Sequence, residues 1–64
     1  MHNRLRVIRA ERQITQATLA KMAGLSRVTV NRIEGGRHMP DGNTMMKLAR
    51  ALGCPAKDIF TALA

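Results

Sequence analysis

The 64-residue chain has very few aromatic residues and a single cysteine, and both absences narrow the possible functions. It has no Trp, no Tyr and one Phe. Proteins that bind RNA or single strands stack bases on exposed aromatic rings, so this class of binding is disfavoured. Cys54 can form no disulfide within the chain and has no thiol neighbour to complete a zinc site. We expect it to be a small core residue.

Long apolar segments are also missing. No run reaches the roughly 18 apolar residues of a membrane-spanning helix, and the start lacks the apolar region of a secretory signal. The basic residues do not form one polar face opposite a bulky apolar face, which disfavours a membrane-surface helix. No linker or repeat divides the sequence. We therefore expect a cytoplasmic protein with one domain, residues 1–64, and no membrane partner.

Residues that could carry catalysis or hold a metal are sparse and scattered. His2 and His38 have no acid or thiol at a ligand-like spacing. Asp41 and Asp58 lie in a predicted turn and at a helix start, where capping and the helix dipole explain them. Ser26 is an expected cap without a local base. The sequence predicts no metal, no cofactor and no enzymatic activity.

Positive charge is the main compositional excess. The formal net charge is +7 and the pI is near 11.5. Residues 1–37 carry eight Lys/Arg against two acids, whereas residues 38–64 carry three against two. Such a field favours a polyanionic partner, and the basic half is the half that would contact it.

Capping and turn residues divide the chain into five short helices, and no segment alternates as a strand. We expect Thr15 and Ser26 to cap helices two and three, and Gly24 and Gly53 to end helices two and four. The first three predicted helices span residues 3 to about 12, 16–23 and 27–34. The fourth follows a cap at Asn43 or Thr44, and the fifth begins at Pro55.

The third helix has two distinct faces. At about 100° per residue, Val30, Ile33 and Glu34 lie on one side and form the predicted buried face. The opposite side carries Val28, Asn31 and Arg32, with Arg27 and Thr29 flanking it. In the major groove, arginine can bind guanine, asparagine can bind adenine, and valine can contact a thymine methyl group. A solvated polar face remains the alternative on this feature alone.

The spacing of helices two and three indicates DNA binding more specifically than the exposed face of helix three does. A helix of about eight residues, a glycine turn, a capped helix and small Ala20 at the crossing describe a helix-turn-helix. The segment TQATLAKMAGLSRVTVNRIEGGR resembles the phage-repressor and Cro-like helix-turn-helix proteins, with RIEGG similar to a common ending of the motif. LRVIRAERQIT and MMKLARALGCPAKDIF extend the resemblance over nearly the whole chain. The resemblance implies an all-α, five-helix lambda-repressor-like domain.

The resemblance also implies roles for individual residues. Helix three would enter the major groove, and Arg4, Arg6 and Arg12 would be looser candidates for phosphate contact. Expected base contacts are Arg27, Val28, Asn31 and Arg32, of which Asn31 lies at the edge between bases and phosphates. Expected backbone or orienting residues are Thr15, Gln16, Lys21, Thr29, Gly35, Arg37 and His38.

Arg9 lies on the apolar stripe of helix one, where a charge needs a partner. In some members of the family the matching arginine pairs with the glutamate that ends helix three, here Glu34. A structural ion pair between Arg9 and Glu34 is the favoured expectation, because the inward-facing Glu34 otherwise lacks a partner. Contact of Arg9 with a phosphate is the alternative.

The function implied is sequence-specific binding of a palindromic, double-stranded DNA operator by a transcription regulator, most simply a repressor. The alternative is an antitoxin that uses the same fold to bind a toxin partner. A homodimer is expected at least on DNA, because one helix reads only a few base pairs. Since the sequence ends at Ala64, we expect the dimer to use residues of this domain. The candidates are Met45, Met46, Phe60, Leu63 and the loop before helix four.

Overall fold

The computed structural model describes residues 3–60, and these residues fold into five α-helices without a strand. The all-α, five-helix class is confirmed. In chain order the helices are α1 (Leu5–Glu11), α2 (Gln16–Ala23), α3 (Arg27–Glu34), α4 (Gly42–Leu52) and α5 (Ala56–Ile59). The predicted dimer candidate Leu63 lies outside the described residues.

One apolar core holds the helices together, and α2 lies at its centre. α2 packs against both α3 and α4, while α1 packs against α3 and α5 against α4. Each helix contributes apolar side chains at helical spacing. The buried apolar residues are Leu5, Ile8, Leu19, Ala20, Ala23, Val30, Ile33, Leu48, Ala49, Leu52, Ile59 and Phe60. The partly buried Cys54 packs against this core, as expected.

The turn between α2 and α3 is defined by local hydrogen bonds. Gly24 adopts a left-handed backbone with φ of 70°, and the Leu25 N–H donates to the Ala20 carbonyl at 2.8 Å. The Ser26 hydroxyl then accepts the Thr29 N–H at 3.0 Å and starts α3. Glycine tolerates this backbone without strain, so the turn that sets the angle of α3 is encoded locally.

The start of α4 differs from the prediction. Asp41 is the N-cap, and its Oδ1 accepts the Thr44 N–H at 2.8 Å. Asn43 and Thr44, the expected caps, lie inside the first turn instead. An aspartate with extended backbone can cap a helix, and Gly42 takes the first helical position behind it. The helix therefore begins two to three residues earlier than predicted.

The start of α5 was also predicted wrongly. The sequence predicts Pro55 as the first helical residue. Instead Pro55 is itself the N-cap, with an extended backbone at φ −64° and ψ 146°. Its ring fixes φ but leaves ψ free to be extended, and no side-chain hydrogen bond caps α5.

Arg12 has a structural contact that the sequence did not indicate. Its Nε donates to the Leu52 carbonyl at 2.7 Å, at the end of α4. The last carbonyls of a helix lack internal partners, and a cation there also interacts favourably with the helix dipole. Arg12, a looser candidate for phosphate contact, thus joins α1 to α4.

Gly42 offers a stabilising substitution. An added Cβ there would meet nothing within 4 Å, and the backbone is not left-handed. Gly42→Ala should therefore raise the free energy of unfolding by about 0.4 to 1 kcal/mol, mainly because alanine restricts the unfolded chain. Urea denaturation measures the change. A destabilised variant would show that glycine is required at this position.

Asp41 should make stability depend on pH. Hydrogen bonds from the backbone and side chain of Thr44 lower the pKa of Asp41 below its ordinary value of 3.8. The stabilisation is present above pH 3.8 and is lost as the pH falls through the lower, folded-state pKa. We expect Asp41→Asn to lower Tm at neutral pH and the two Tm values to converge in acid. A difference that is constant with pH would contradict this role for the charge.

Candidate nucleic-acid interface

The two faces of α3 are separated as the periodicity predicts. Val30 and Ile33 are fully buried, whereas Val28 is 59% exposed. The exposed side also carries three of the polar and charged residues predicted to bind bases: Arg27, Asn31 and Arg32. Because the core fixes the inward face, the exposed side chains project from a rigidly held helix.

The start of α2 lies beside this face. The Thr15 hydroxyl caps α2 by accepting the Thr18 N–H at 3.0 Å, and Gln16 is half-buried next to α3. An open concavity of about 380 Å³ joins the two helices. Six of the predicted contact residues line it: Gln16, Arg27, Val28, Asn31, Arg32 and Arg37. The structure therefore brings most of the predicted site into one surface, which we call the α3 face.

An ion pair beneath the α3 face ties α1 to α3. Arg9 Nε donates to Glu34 Oε2 at 2.6 Å, and Nη2 donates to Oε1 at 3.2 Å. The Arg9 side chain is 16% exposed and that of Glu34 is 5% exposed. Arg9 Nη1 also donates to the Ile14 carbonyl at 2.8 Å. The predicted pair is thus present as a bidentate, nearly buried contact, the stronger form of ion pair.

Gln16 joins the same network from α2. Its Nε2 donates to Glu34 Oε1 at 3.0 Å, so one carboxylate binds side chains of both α1 and α2. Near the same helix end, Asn3 Nδ2 donates to the Ile33 carbonyl at 2.8 Å. The end of α3 is therefore held from several directions, which fixes where the α3 face points.

A second concavity of about 380 Å³ lies over this network. It is lined by Arg6, Arg9, Gln16, Asn31, Glu34, Gly35 and Arg37. Since Arg9 neutralises Glu34, the excess charge comes from Arg6 and Arg37, and an anionic group would be favoured there. The family resemblance made Arg6 only a looser candidate for phosphate contact. Arg6 precedes Arg9 by three residues, about one helical turn, and this spacing could have indicated that the two side chains lie close together.

Four predicted contact residues line neither concavity: Thr15, Lys21, Thr29 and His38. Lys21 is exposed in the last turn of α2, about 7.5 Å along the helix from Gln16. His38 is exposed in the loop after α3. The Thr29 hydroxyl lies 2.8 Å from that of Ser26 and takes part in the cap of α3. The structure does not bring these four side chains to the concave part of the α3 face.

Residues 3–60 contain no group of three His, Cys, Asp or Glu side chains placed to hold a metal ion. Within the same range, no helix is long and apolar enough to cross a membrane.

Several known proteins resemble the chain in sequence. It is 40% identical over 60 residues to an uncharacterised helix-turn-helix-type transcriptional regulator of Methanocaldococcus jannaschii, covering 94% of this chain and 91% of that protein. It is 37% identical over 54 residues to repressor protein C2 of Salmonella phage P22. That match covers 84% of this chain but only 25% of the repressor, so the chain corresponds to about a quarter of that relative.

Solved structures show the same fold. The restriction-modification controller protein C.AhdI of Aeromonas hydrophila has a TM-score of 0.84 and 34% identity, with 86% of this chain and 83% of that chain covered. The P22 c2 repressor in complex with a synthetic operator has a TM-score of 0.80 and 35% identity, with 84% and 82% covered.

A family model places these likenesses in one group. The model described as helix-turn-helix matches residues 5–59, which include all five helices. The resemblance to phage-repressor and Cro-like proteins is thereby confirmed. The chain belongs to the helix-turn-helix family.

Proposed function

We propose that the protein is a transcription regulator that binds a double-stranded DNA operator by inserting α3 into the major groove. The observation that carries the proposal is the α3 face, a row of exposed base-reading side chains on a helix whose other face is buried. Blocking access of polymerase to a promoter is the simplest consequence, so we assign repression as the activity. Relatives named as repressors and the operator-bound P22 c2 structure support the assignment.

Base contacts are assigned to the exposed residues of α3. Arg27 and Arg32 can each donate two hydrogen bonds to guanine O6 and N7. Asn31 can pair with adenine, and the exposed Val28 can contact a thymine methyl group. Each bidentate contact discriminates against a wrong base by about 1 to 3 kcal/mol. Four side chains of this kind can specify a short half-site.

Phosphate contacts are assigned to the rim of the α3 face. Gln16, Gly35 and Arg37 line the second concavity, and Arg6 adds a further cation there. Thr15, Lys21, Thr29 and His38 complete the backbone and orienting set at greater distance from that concavity. Such contacts position the protein and supply affinity that depends on salt but not on sequence.

A homodimer on a palindromic operator is part of the proposal. A second copy would place its own α3 in the major groove about one helical turn away and so double the sequence that is read. Of the residues expected to form the interface, Met46 is 49% exposed and is available. Met45 packs partly against the core. Phe60, predicted to contribute, is only 5% exposed because it fills the core, so we withdraw it.

We assign the protein to the cytoplasm, where bacterial and phage operators are found, and give it no catalytic role. No catalytic role is needed, because the side chains that line the α3 face can act by hydrogen bonding to bases and phosphates alone.

Selection from a random duplex library at two salt concentrations tests the function. We expect the bound pool to enrich an inverted repeat, with a half-site spacing set by the dimer. Enrichment should persist at the higher salt, because base contacts depend on salt less than phosphate contacts do. A pool without enrichment, whose retention vanishes at higher salt, would reject sequence-specific binding.

Arg37→Ala should weaken binding to the selected operator and to unrelated duplexes by the same factor. If Arg37 contacts one phosphate, the negative slope of log affinity against log salt concentration should become shallower by about 0.9. Lys21→Ala should act in the same direction and more weakly. Lys57→Ala removes an exposed cation on α5 and serves as the control for net charge. Loss of base preference in Arg37→Ala would instead assign Arg37 to the bases.

A further inference from the structure

A second surface lies between the C-terminal part of α2 and the exposed side of α4. It is an open groove of about 500 Å³, lined by Met22, Ala23, Lys47, Arg50 and Ala51. We call it the α2–α4 groove. Met22 follows Gln16 by six residues, which places it about 9 Å along α2 and about 120° around its axis. The groove is therefore separate from the α3 face, and the proposed DNA contacts leave it unused.

The groove combines exposed apolar area with unpaired positive charge. Met22 is 54% exposed although it flanks the buried Ala23. Lys47 and Arg50 are exposed, and among residues 3–60 neither forms an ion pair with a carboxylate. Lys47 does act on Asp41 through its field, but that carboxylate is occupied as the cap of α4. Both cations are therefore available to a partner.

We propose that the α2–α4 groove binds an acidic amphipathic segment of a partner protein. An apolar side chain of the segment would pack on Met22 and the two alanines, and its carboxylates would pair with Lys47 and Arg50. Arginine is enriched among the residues that dominate binding energy, and the flexible thioether of methionine adapts to different apolar side chains. A helix laid in a groove between two helices is a common way to bind such a segment.

Charge complementarity selects this occupant over two others. A second copy of the chain would bring the same two cations and a net charge of +7 against this surface, so self-association through it is opposed by repulsion. DNA would satisfy the cations but would leave Met22 without an apolar contact. An acidic segment with an apolar anchor satisfies both parts of the groove.

Selection of a random peptide library on the free protein tests the proposal. We expect enriched peptides to carry carboxylates around an apolar residue and to bind about tenfold more weakly to Arg50→Glu. Lys57→Glu makes the same change in net charge on α5 and should weaken binding less than about twofold. Met22→Gln should also weaken binding, whereas Met39→Gln, which alters a 61% exposed methionine in a loop, should not.

The competing occupants give different results. Peptides that respond to Arg32→Glu instead of Arg50→Glu would be bound at the α3 face, and the proposal would be wrong. An enriched pool without carboxylates, or equal weakening by Arg50→Glu and Lys57→Glu, would also overturn it. So would a Met22→Gln variant that loses self-association or operator affinity while peptide binding is unchanged, because the groove would then belong to the dimer or to DNA.

Discussion

Glu34→Ala is expected to lower the free energy of unfolding by about 3 to 5 kcal/mol. The substitution removes the acceptor of two Arg9 hydrogen bonds and one Gln16 hydrogen bond, and it leaves a guanidinium that is only 16% exposed without its counter-ion. A domain of this size has a total stability of about 3 to 10 kcal/mol. Much of the variant should therefore be unfolded at 37 °C, as thermal denaturation followed by circular dichroism would show.

A double variant separates the cost of an unpaired charge from the net value of the pair. Arg9→Met/Glu34→Leu removes both charges and leaves apolar side chains of similar length, so we expect it to recover most of the lost stability. Arg12→Met, which loses the hydrogen bond to the Leu52 carbonyl, serves as the control for an arginine at the end of α1 that lies outside the network. If Glu34→Ala were as stable as the native chain, the network would have no role in placing α3.

Arg32→Ala is expected to remove base discrimination at one position of each half-site, at a cost of about 1 to 3 kcal/mol. Arg32 is exposed, so the fold should remain intact. Arg32→Lys is the matched variant, since it keeps the charge but cannot donate in the bidentate geometry that guanine requires. Selection with each variant should give a relaxed position for both, while the salt dependence set by the phosphate contacts stays largely unchanged.

The opposite pattern would reassign this residue. If Arg32→Lys kept the full base preference, or if Arg32→Ala weakened all duplexes equally, Arg32 would be a phosphate contact and α3 would lie differently in the groove.

Features that depend on neighbouring residues could be predicted from the sequence. The caps Thr15 and Ser26 and the left-handed Gly24 were found because each bonds within a few residues of itself. The buried Val30 and Ile33 followed from helical periodicity alone. The two faces of α3, and with them most of the candidate site, were therefore encoded locally.

Features that depend on distant contacts could not be found in this way. Arg12 and the Leu52 carbonyl are 40 residues apart, and no local pattern relates them. The hydrogen bond from Gln16 to Glu34 depends on the angle between α2 and α3, which no local pattern in the sequence indicates. The cap of α4 was missed for another reason: the turn and capping signals of Asp41 overlap, and the sequence alone favoured the turn.

Base analogues in the selected operator test most directly whether α3 reads bases in the major groove. Replacing guanine by 7-deazaguanine removes the N7 acceptor of the major groove, and replacing it by inosine removes the amino group of the minor groove. We predict that 7-deazaguanine at one position per half-site weakens binding of the native protein about tenfold, that Arg32→Ala is insensitive to the same change, and that inosine has little effect. Binding that tolerates 7-deazaguanine at every position but is lost with inosine would contradict the account.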